Sequence, residues 1–276
     1  SLYEWFNPTY LNNLEHYVDH HMIPQMKDLI TSYEPDILWT DGEWDHPSEK
    51  WKSTEFLAWL FNESSVKDNI CINDRWGKET RGKHGGYFTT EYGHVYGDVE
   101  DINAVQHPWE ECRGIGTSFG YNQIEDLGNY LSSEACIDLL IEKVAGGGNL
   151  LLDIGPTADG RIPVIQQQRL LDIGAWLDVN GEAIYGTRKW EGAKENKQDN
   201  VYFTKKGNDL YIHCIEYPTT PVEIKGVKAS KISMLGFDGK VKFNKSGKSV
   251  KITAPQLSPA TNPSEYAWVF KIENAL

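Results

Sequence analysis

The stretch that decides the fold of this chain is Pro35-Asp36-Ile37-Leu38-Trp39-Thr40-Asp41-Gly42-Glu43-Trp44. Its proline ends a preceding helix, and Asp36 to Thr40 is short and apolar in its middle, which predicts a buried parallel strand. The strand ends at Asp41, and an acidic residue at the C-terminal end of such a strand lies where a (β/α) barrel places its chemistry. The alternative is that Asp41 caps the next helix or forms an Asp-Gly turn.

Two tryptophans, Trp39 and Trp44, flank this carboxylate. An indole face can cover the C–H face of a pyranose while an acid acts on the anomeric carbon. The stretch therefore predicts a sugar site, with Asp41 as the reactive group and the two tryptophans as substrate contacts.

Length and charge limit the classes of function. The chain has 276 residues, enough for one large domain or two modest ones. Its net charge of -13 argues against nucleic acid and anionic membranes as partners, because both require a basic face. No apolar run approaches the ~18 residues that a membrane-spanning helix needs.

Cysteine and histidine spacing does not favour a metal site. The four cysteines lie far apart, so free thiols are the default and a single bridge is the alternative; they are Cys71, Cys112, Cys136 and Cys214. His16 and His20 are four residues apart but lack an H-E-x-x-H frame. Asn62 and Asn244 open N-x-S/T sequons and are glycosylation candidates, which hints at a secretory route.

Residues 1–186 alternate predicted helices with predicted strands, which is the α/β pattern. A first helix opens at Asn7-Pro8, and Pro24 should kink or break it. Further helices are predicted at about Ser53–Asn62, Ser132–Val144 and Val164–Val179. Further strands are predicted at Asn69–Asn73, Arg113–Phe119 and Asn149–Gly155, the last one buried because of its apolar run. The segment from His84 to Gly93 is rich in glycine and is predicted to be a loop.

Residues 187–276 have a different sequence pattern, in which short strand-like runs are separated by Gly, Asn and Pro. This spacing predicts a small antiparallel sandwich that acts as a structural domain. The runs are Val201–Thr204, Asp209–Ile215, Val222–Ile224, Lys231–Leu235, Val241–Asn244, Ser249–Thr253 and Tyr266–Ile272.

Seven motifs in chain order carry a family resemblance. They are Trp39-Thr40-Asp41-Gly42-Glu43-Trp44, Asn73-Asp74-Arg75-Trp76-Gly77, His84-Gly85-Gly86-Tyr87, Trp109-Glu110-Glu111-Cys112, Arg113-Gly114-Ile115-Gly116 followed by Phe119-Gly120-Tyr121, Gly147-Gly148-Asn149-Leu150-Leu151-Leu152, and Ile154-Gly155-Pro156 followed by Asp159-Gly160. Together they resemble the α-L-fucosidases of glycoside hydrolase family 29, of the animal lysosomal type. The resemblance covers the whole chain.

The resemblance implies a fold and an activity. The fold is the C-terminal part of a (β/α)8-like TIM barrel followed by a small antiparallel β-sandwich. The activity is retaining hydrolysis of terminal α-L-fucose from a fucosylated glycan or glycoprotein, through a covalent fucosyl-enzyme intermediate and without a cofactor or metal. The implied location is lysosomal or secreted, with a bacterial periplasmic or extracellular location as the alternative. A homo-oligomer is a possible assembly.

The resemblance also implies roles for five residues. Asp41 is the nucleophile, Arg75 binds a sugar hydroxyl and Phe119 lines the pocket against the fucose methyl. The acid/base is Glu91, with Glu110 as second choice. Retention requires two carboxyls ~5–5.5 Å apart, one ionised and one protonated. We expect Glu91 to lie in a mobile loop with aromatic neighbours that let it hold a proton.

Alternatives remain at three points. Arg75 could be an ordinary salt-bridge residue and Phe119 a core residue. The protein could be a catalytically silent, lectin-like fucose-binding relative, although the presence of Asp41 favours an enzyme. A (β/α)8 barrel needs ~250 residues, so we expect the N-terminal half of the barrel to lie outside this chain and to be its partner.

Overall fold

The computed structural model describes residues 13–97 and 99–276. The chain divides into two compact units, one ending at Glu110 and one running from Glu111 to Leu276. The predicted helix start at Asn7-Pro8 lies outside the described residues.

The first described segment is a continuous helical stretch with two kinds of winding. It consists of α1 (Leu14–Tyr17), a π-helical turn (Val18–Met22) and α2 (Ile23–Tyr33). Pro24 lies in the first turn of α2, where its missing N–H group is tolerated. The proline therefore marks a change from π to α winding and does not end the helix.

Two short parallel strands follow. They are β1 (Ile37–Leu38) and β2 (Cys71–Ile72), joined by α3 (Ser53–Asn62), which has the predicted bounds. Apolar side chains from these elements form one buried cluster: Ile30, Leu38, Phe56, Leu60, Val66, Ile70, Ile72 and Trp76. This strand–helix–strand unit confirms the predicted α/β order, although both strands are shorter than expected.

The segment predicted to be a glycine-rich loop contains a strand, so that prediction is wrong. The strand is β3 (Phe88–Glu91), and the Tyr87 N–H before it donates to the Ile72 carbonyl. A run of aromatic and β-branched residues ahead of a glycine turn is a strand signal, which the glycines obscured. The next strand, β4 (Trp109–Gly114), begins four residues before the predicted Arg113 start.

The helices of the second unit follow their predicted bounds within two residues. They are α4 (Ser133–Ala145) and α5 (Val164–Asn180), and the Ser132 hydroxyl caps α4 by accepting the Ala135 N–H. Between them lies β5 (Asn149–Asp153). The helix α4 packs against β5. The prediction that β5 is buried is nevertheless wrong, because its Leu151 side chain is 39% exposed.

The C-terminal residues form an antiparallel sandwich. Its strands are β6 (Arg188–Lys189), β7 (Val201–Lys206), β8 (Asp209–Cys214), β9 (Val222–Lys225), β10 (Lys231–Met234), β11 (Lys242–Ser246), β12 (Ser249–Thr253) and β13 (Trp268–Glu273). One sheet has the order β10-β13-β8-β7-β6 and the other β11-β12-β9. All seven predicted runs are confirmed as strands. Short 3₁₀ segments occur at Glu43–Asp45, Ile102–Ala104, Leu127–Asn129, Gly181–Ala183 and Glu191–Asn196.

The five-stranded sheet also contacts the two helices of the second unit. Ile137 and Ile141 of α4 and Trp176 of α5 share a buried cluster with Tyr211 and Val269 of the sheet. This packing joins residues on both sides of position 186. The domain boundary at that position stays a prediction.

The cysteines are free, and three of them are buried. Cys71 is exposed, whereas the thiols of Cys112, Cys136 and Cys214 lie in the interior. Burial raises the pKa of Cys136 to about 11, so this thiol is inert as a nucleophile at neutral pH. Among the described residues, none of the helices combines the length and the apolar character needed to span a bilayer.

Candidate active site

The ends of β1 and β2 are tied together by two polar side chains. The Asn73 amide donates to the Thr40 carbonyl at 2.7 Å, and the Thr40 hydroxyl lies 2.9 Å from the Asn73 amide oxygen. This contact joins the two segments beyond the ends of the short strands. It brings Asp41 and Arg75 to the same edge of the sheet, because each follows one of the tied residues.

Arg75 bonds both predicted catalytic carboxylates. Its Nη1 donates to Asp41 Oδ1 at 2.6 Å and its Nη2 to Glu91 Oε2 at 3.1 Å. Because both oxygens bond one planar guanidinium, they lie within about 8 Å of each other. The structure therefore brings the two predicted catalytic acids to one guanidinium.

The alternative that Asp41 serves as a helix cap is not supported. The following 3₁₀ turn, Glu43–Asp45, has Gly42 as its N-cap residue, at φ 88°, and no side-chain capping bond. The Asp41 carboxylate faces Arg75 instead and is about half exposed. An exposed acid beside a fixed cation is available to a ligand.

The guanidinium of Arg75 is fixed from several sides. Its side chain is 2% exposed, its Nε donates to the Thr89 hydroxyl at 3.0 Å, and its plane lies 4.3 Å from the Trp39 ring centre. The Thr89 hydroxyl donates in turn to the buried Asp74 at 2.8 Å. Trp39 thus packs one face on Arg75, which orients the cation between the two acids.

Glu110 lies beside the N–H group of the Trp39 indole. The indole Nε1 donates to Glu110 Oε1 at 3.1 Å. Burial raises the pKa of Glu110, and it outweighs the opposing effects of Trp39, Tyr87 and Arg75. The buried Tyr87 hydroxyl points toward Glu110 without reaching hydrogen-bond geometry. Glu110 is therefore more prone to hold a proton than an ordinary glutamate.

Glu91 lies on a hairpin, so the prediction that it lies in a loop is wrong. It is the last residue of β3 and pairs with His94, with backbone bonds of 3.2 and 2.8 Å in the two directions. Tyr92 and Gly93 form the turn with φ of 49° and 78°, the left-handed pair that a tight two-residue turn needs. The hairpin fixes the backbone that carries the proposed acid/base.

A second arginine, which sequence reasoning missed, also contacts both acids. Arg81 has Nη2 3.5 Å from Asp41 Oδ1 and Nη1 3.5 Å from Glu91 Oε2. Its Nε donates to Glu43 at 2.5 Å, and its plane lies 4.4 Å from the Tyr96 ring centre. Glu43 stands two residues after Asp41 in the same motif, and this proximity is a sequence signal for a site residue. Arg81 has no comparable signal, because it lies outside the motifs that contain the two acids.

A cavity of about 450 Å³ opens beside these groups. Its lining consists of Glu43, Trp44, Lys78, Glu79, Arg81, Lys83, Glu91, Tyr96 and Gly97. This volume is within the range of small-molecule sites and accommodates a sugar ring. Trp44 is half exposed on its wall, so an aromatic face is available for a sugar.

Three other predicted residues are exposed: Phe119, Asn62 and Asn244. Phe119 belongs to the second unit and is 45% exposed, and its part in the site stays a prediction. Asn62 and Asn244 are both exposed, as glycosylation requires. The rings of His16 and His20 lie 4.5 Å apart on one helical face. Among the described residues, there is no group of three His, Cys, Asp or Glu side chains that could hold a metal ion.

Paired carboxylates at strand ends, beside a cavity with an exposed tryptophan, are typical of the glycoside hydrolases. Comparison with family models identifies the family of glycoside hydrolases. The family model for alpha-L-fucosidase matches residues 1–182, and that for the alpha-L-fucosidase C-terminal domain matches residues 193–273. The chain belongs to the alpha-L-fucosidase family.

Individual relatives agree with this assignment. The chain is 40% identical to the tissue alpha-L-fucosidase of Rattus norvegicus and 39% identical to that of Homo sapiens, over 99% of its own length and 60% of theirs. It therefore spans about 60% of the length of these curated relatives.

Solved structures show the same fold. The alpha-fucosidase of Thermotoga maritima, in complex with a mechanism-based inhibitor, has a TM-score of 0.72 and 32% identity, and the likeness covers 93% of this chain and 56% of that one. Alpha-L-fucosidase isoenzyme 1 of Paenibacillus thiaminolyticus has a TM-score of 0.76 and 26% identity, over 95% of this chain and 65% of the other. The predicted fold class, an α/β barrel portion followed by an antiparallel β-domain, is confirmed.

Proposed function

We propose that the complete protein carrying this chain is a retaining exo-glycosidase that removes terminal α-L-fucose from glycoconjugates. The observation that carries the proposal is the pairing of Asp41 and Glu91 across the guanidinium of Arg75. Family membership supports the choice of fucose. The mechanism-based inhibitor bound by the Thermotoga maritima relative supports a covalent route.

The proposed reaction has two steps. In the first, an Asp41 oxygen attacks the anomeric carbon and forms a fucosyl ester, while the acid/base gives its proton to the leaving oxygen. In the second, the acid/base takes a proton from water, which attacks the same carbon and releases Asp41 as a carboxylate. Arg75 bonds the carboxylates in the free site, and we assign to it the binding of a sugar hydroxyl.

Two carboxyls can serve as the acid/base, and we propose Glu91. Position favours it, because Glu91 bonds the same guanidinium as Asp41 and lines the cavity. Glu110 is the second choice, favoured by its raised pKa. Two arginines, Arg75 and Arg81, contact the Glu91 carboxylate.

The proposed substrate is a fucosylated glycan or glycoprotein, and the proposed location is lysosomal or secreted. The relatives named tissue and plasma alpha-L-fucosidases support this location, as do two exposed sequon asparagines. A catalytically silent fucose-binding protein is not favoured, because a binding pocket has no need for a pair of carboxylates held across one guanidinium.

The test is hydrolysis of an aryl α-L-fucoside by the complete protein and by its Asp41→Ala variant. We expect the substitution to lower kcat by ~10³-fold or more, because the nucleophile is lost. Azide should restore turnover of the variant and give a fucosyl azide of opposite anomeric configuration, since it enters from the side that Asp41 leaves open.

Asp36→Ala is the matched control, because Asp36 is an exposed aspartate at the entry of the same strand. It should retain full activity. A wild type that binds fucose without hydrolysing the glycoside would overturn the proposal, and so would an Asp41→Ala variant with undiminished kcat.

A further inference from the structure

We propose that Arg81 is a positioning residue that holds the nucleophile and the acid/base in register through both steps, and that Glu43 fixes Arg81 for this task. The inference rests on the proposed function. Its basis is that Arg81 presents one terminal nitrogen to Asp41 and the other to Glu91, each at 3.5 Å.

Glu43 fixes the position of the Arg81 guanidinium through a hydrogen bond to its Nε. It is 5% exposed, and one of its oxygens accepts the Arg81 Nε–H at 2.5 Å. Its other oxygen is buried and has no hydrogen-bond partner among the described residues. A buried carboxylate that is only half satisfied depends on its remaining cation, so this pair is held firmly.

Tyr96 restricts the remaining freedom of Arg81. The guanidinium lies on the Tyr96 ring, and the Tyr96 hydroxyl lies 3.4 Å from the same Glu91 oxygen that Arg81 contacts. His94 packs edge-on against Tyr96 at 4.6 Å. Burial would lower the pKa of Arg81, but the hydrogen bond and charge of Glu43 outweigh it and raise that pKa, so the cation is permanent.

The movement of negative charge from Asp41 to Glu91 in the first step gives a reason for a second arginine at the site. Asp41, Glu43 and Glu91 converge on Arg75 and Arg81, and the charged groups elsewhere on the cavity wall are Lys78, Glu79 and Lys83. In the first step Asp41 loses its negative charge as an ester forms, and Glu91 gains one as it gives up its proton. A cation that touches both oxygens can stabilise the charge before and after this transfer without moving.

The experiment measures pH–rate profiles of the complete protein and of Arg81→Gln and Arg81→Lys variants. Arg81→Gln should lower kcat by ~10²-fold, because the two carboxyls are no longer held in register. Both limbs of its kcat/KM profile should move to higher pH by ~0.5–1 unit, because a charge that favours the ionised carboxyls is lost.

Arg81→Lys keeps the charge but cannot span both acids. We expect its limbs to stay in place while kcat falls, since the loss is one of geometry. Arg188→Gln, an exposed arginine on β6, is the matched control and should leave kcat and both limbs unchanged.

The outcomes separate this inference from the function beneath it. A wild type that hydrolyses no fucoside overturns both. An active wild type whose Arg81→Gln variant loses kcat with unmoved limbs shows a merely structural role and overturns the inference alone. If Arg81→Gln does not fold, Arg81→Lys decides, and a lysine variant with wild-type kcat overturns the proposal.

Discussion

Arg75 is the residue on which the candidate site is built. A buried guanidinium is stable only where its hydrogen-bond donors are satisfied, and here Asp41, Glu91 and Thr89 accept from three of its nitrogens. The same contacts that make its burial tolerable also bring two acids together. An arginine at position 75 therefore serves both the stability of the fold and the arrangement of the two acids.

The choice between Glu91 and Glu110 can be tested at the residue scale. Glu91→Ala should lower the rate by ~10²–10⁴-fold on fucosides with poor leaving groups, because their oxygens need a proton. Activated dinitrophenyl fucosides should still form the intermediate, and azide should then give a product of retained anomeric configuration. The measurement is the dependence of rate on the acidity of the leaving phenol.

Glu110→Ala is the comparison variant. It should keep a wild-type dependence on the leaving group, with a rate loss that reflects only the altered support of Trp39. The reverse pattern, with Glu91→Ala unaffected and Glu110→Ala responsive to azide, would transfer the acid/base role to Glu110.

At the scale of elements, the short β3 hairpin determines where the proposed acid/base lies. Its turn needs positive φ at two consecutive residues, and Gly93 supplies the second at 78°. A Cβ at this position would meet no atom within 4 Å, so a substitution tests backbone strain alone. The hairpin therefore offers a way to displace Glu91 without touching it.

Gly93→Ala should destabilise the turn by ~1 kcal/mol, because an L-residue disfavours this φ. We expect kcat to fall about tenfold as Glu91 shifts away from Arg75, a loss within the range for small misplacements. The measurement is kcat on an aryl fucoside together with the urea midpoint.

Gly207→Ala is the matched control, because Gly207 also has a positive φ, at 57°, with no atom near its added Cβ. It lies in the β7–β8 turn and should cost similar stability without changing kcat. Equal kcat values for the two variants would show that the hairpin does not position the acid/base.

At the scale of the whole molecule, Asp138 couples the stability of the second unit to pH. It lies on α4, with one carboxylate oxygen fully buried and without a hydrogen-bond partner among the described residues. Burial, helped by the charges of Glu134 and Glu216, raises its pKa to about 6. Between the unfolded pKa of ~4 and this value the folded state binds more protons, so stability falls as pH rises through that window.

Asp138→Asn should remove this dependence. We expect the variant to gain ~1 kcal/mol at pH 7.5, after allowing for partial exposure, and to match the wild type near pH 4. Urea midpoints at the two pH values measure the effect. Asp178→Asn, an exposed aspartate on α5, should change neither midpoint, and a gain at Asp138 that is equal at both pH values would contradict this account.

Local signals in the sequence predicted much of the fold. Apolar periodicity gave α3 its bounds, and an amphipathic pattern placed the start of α4 within a residue. Turn residues separated the strands of the sandwich. These features depend on contacts within a few residues of each other, and such contacts can be recognised in sequence.

The candidate site divides in the same way. The sequence by itself determined the order of elements, the family and the position of Asp41 just after a strand, because motif and periodicity are properties of neighbouring residues. Only the tertiary structure decided that β3 is a strand, that Leu151 is exposed, and that Arg81 contacts Asp41 and Glu91 while bonding Glu43. Glu43 and Arg81 lie 38 positions apart. Their contact depends on how the intervening chain folds back, which no local pattern encodes.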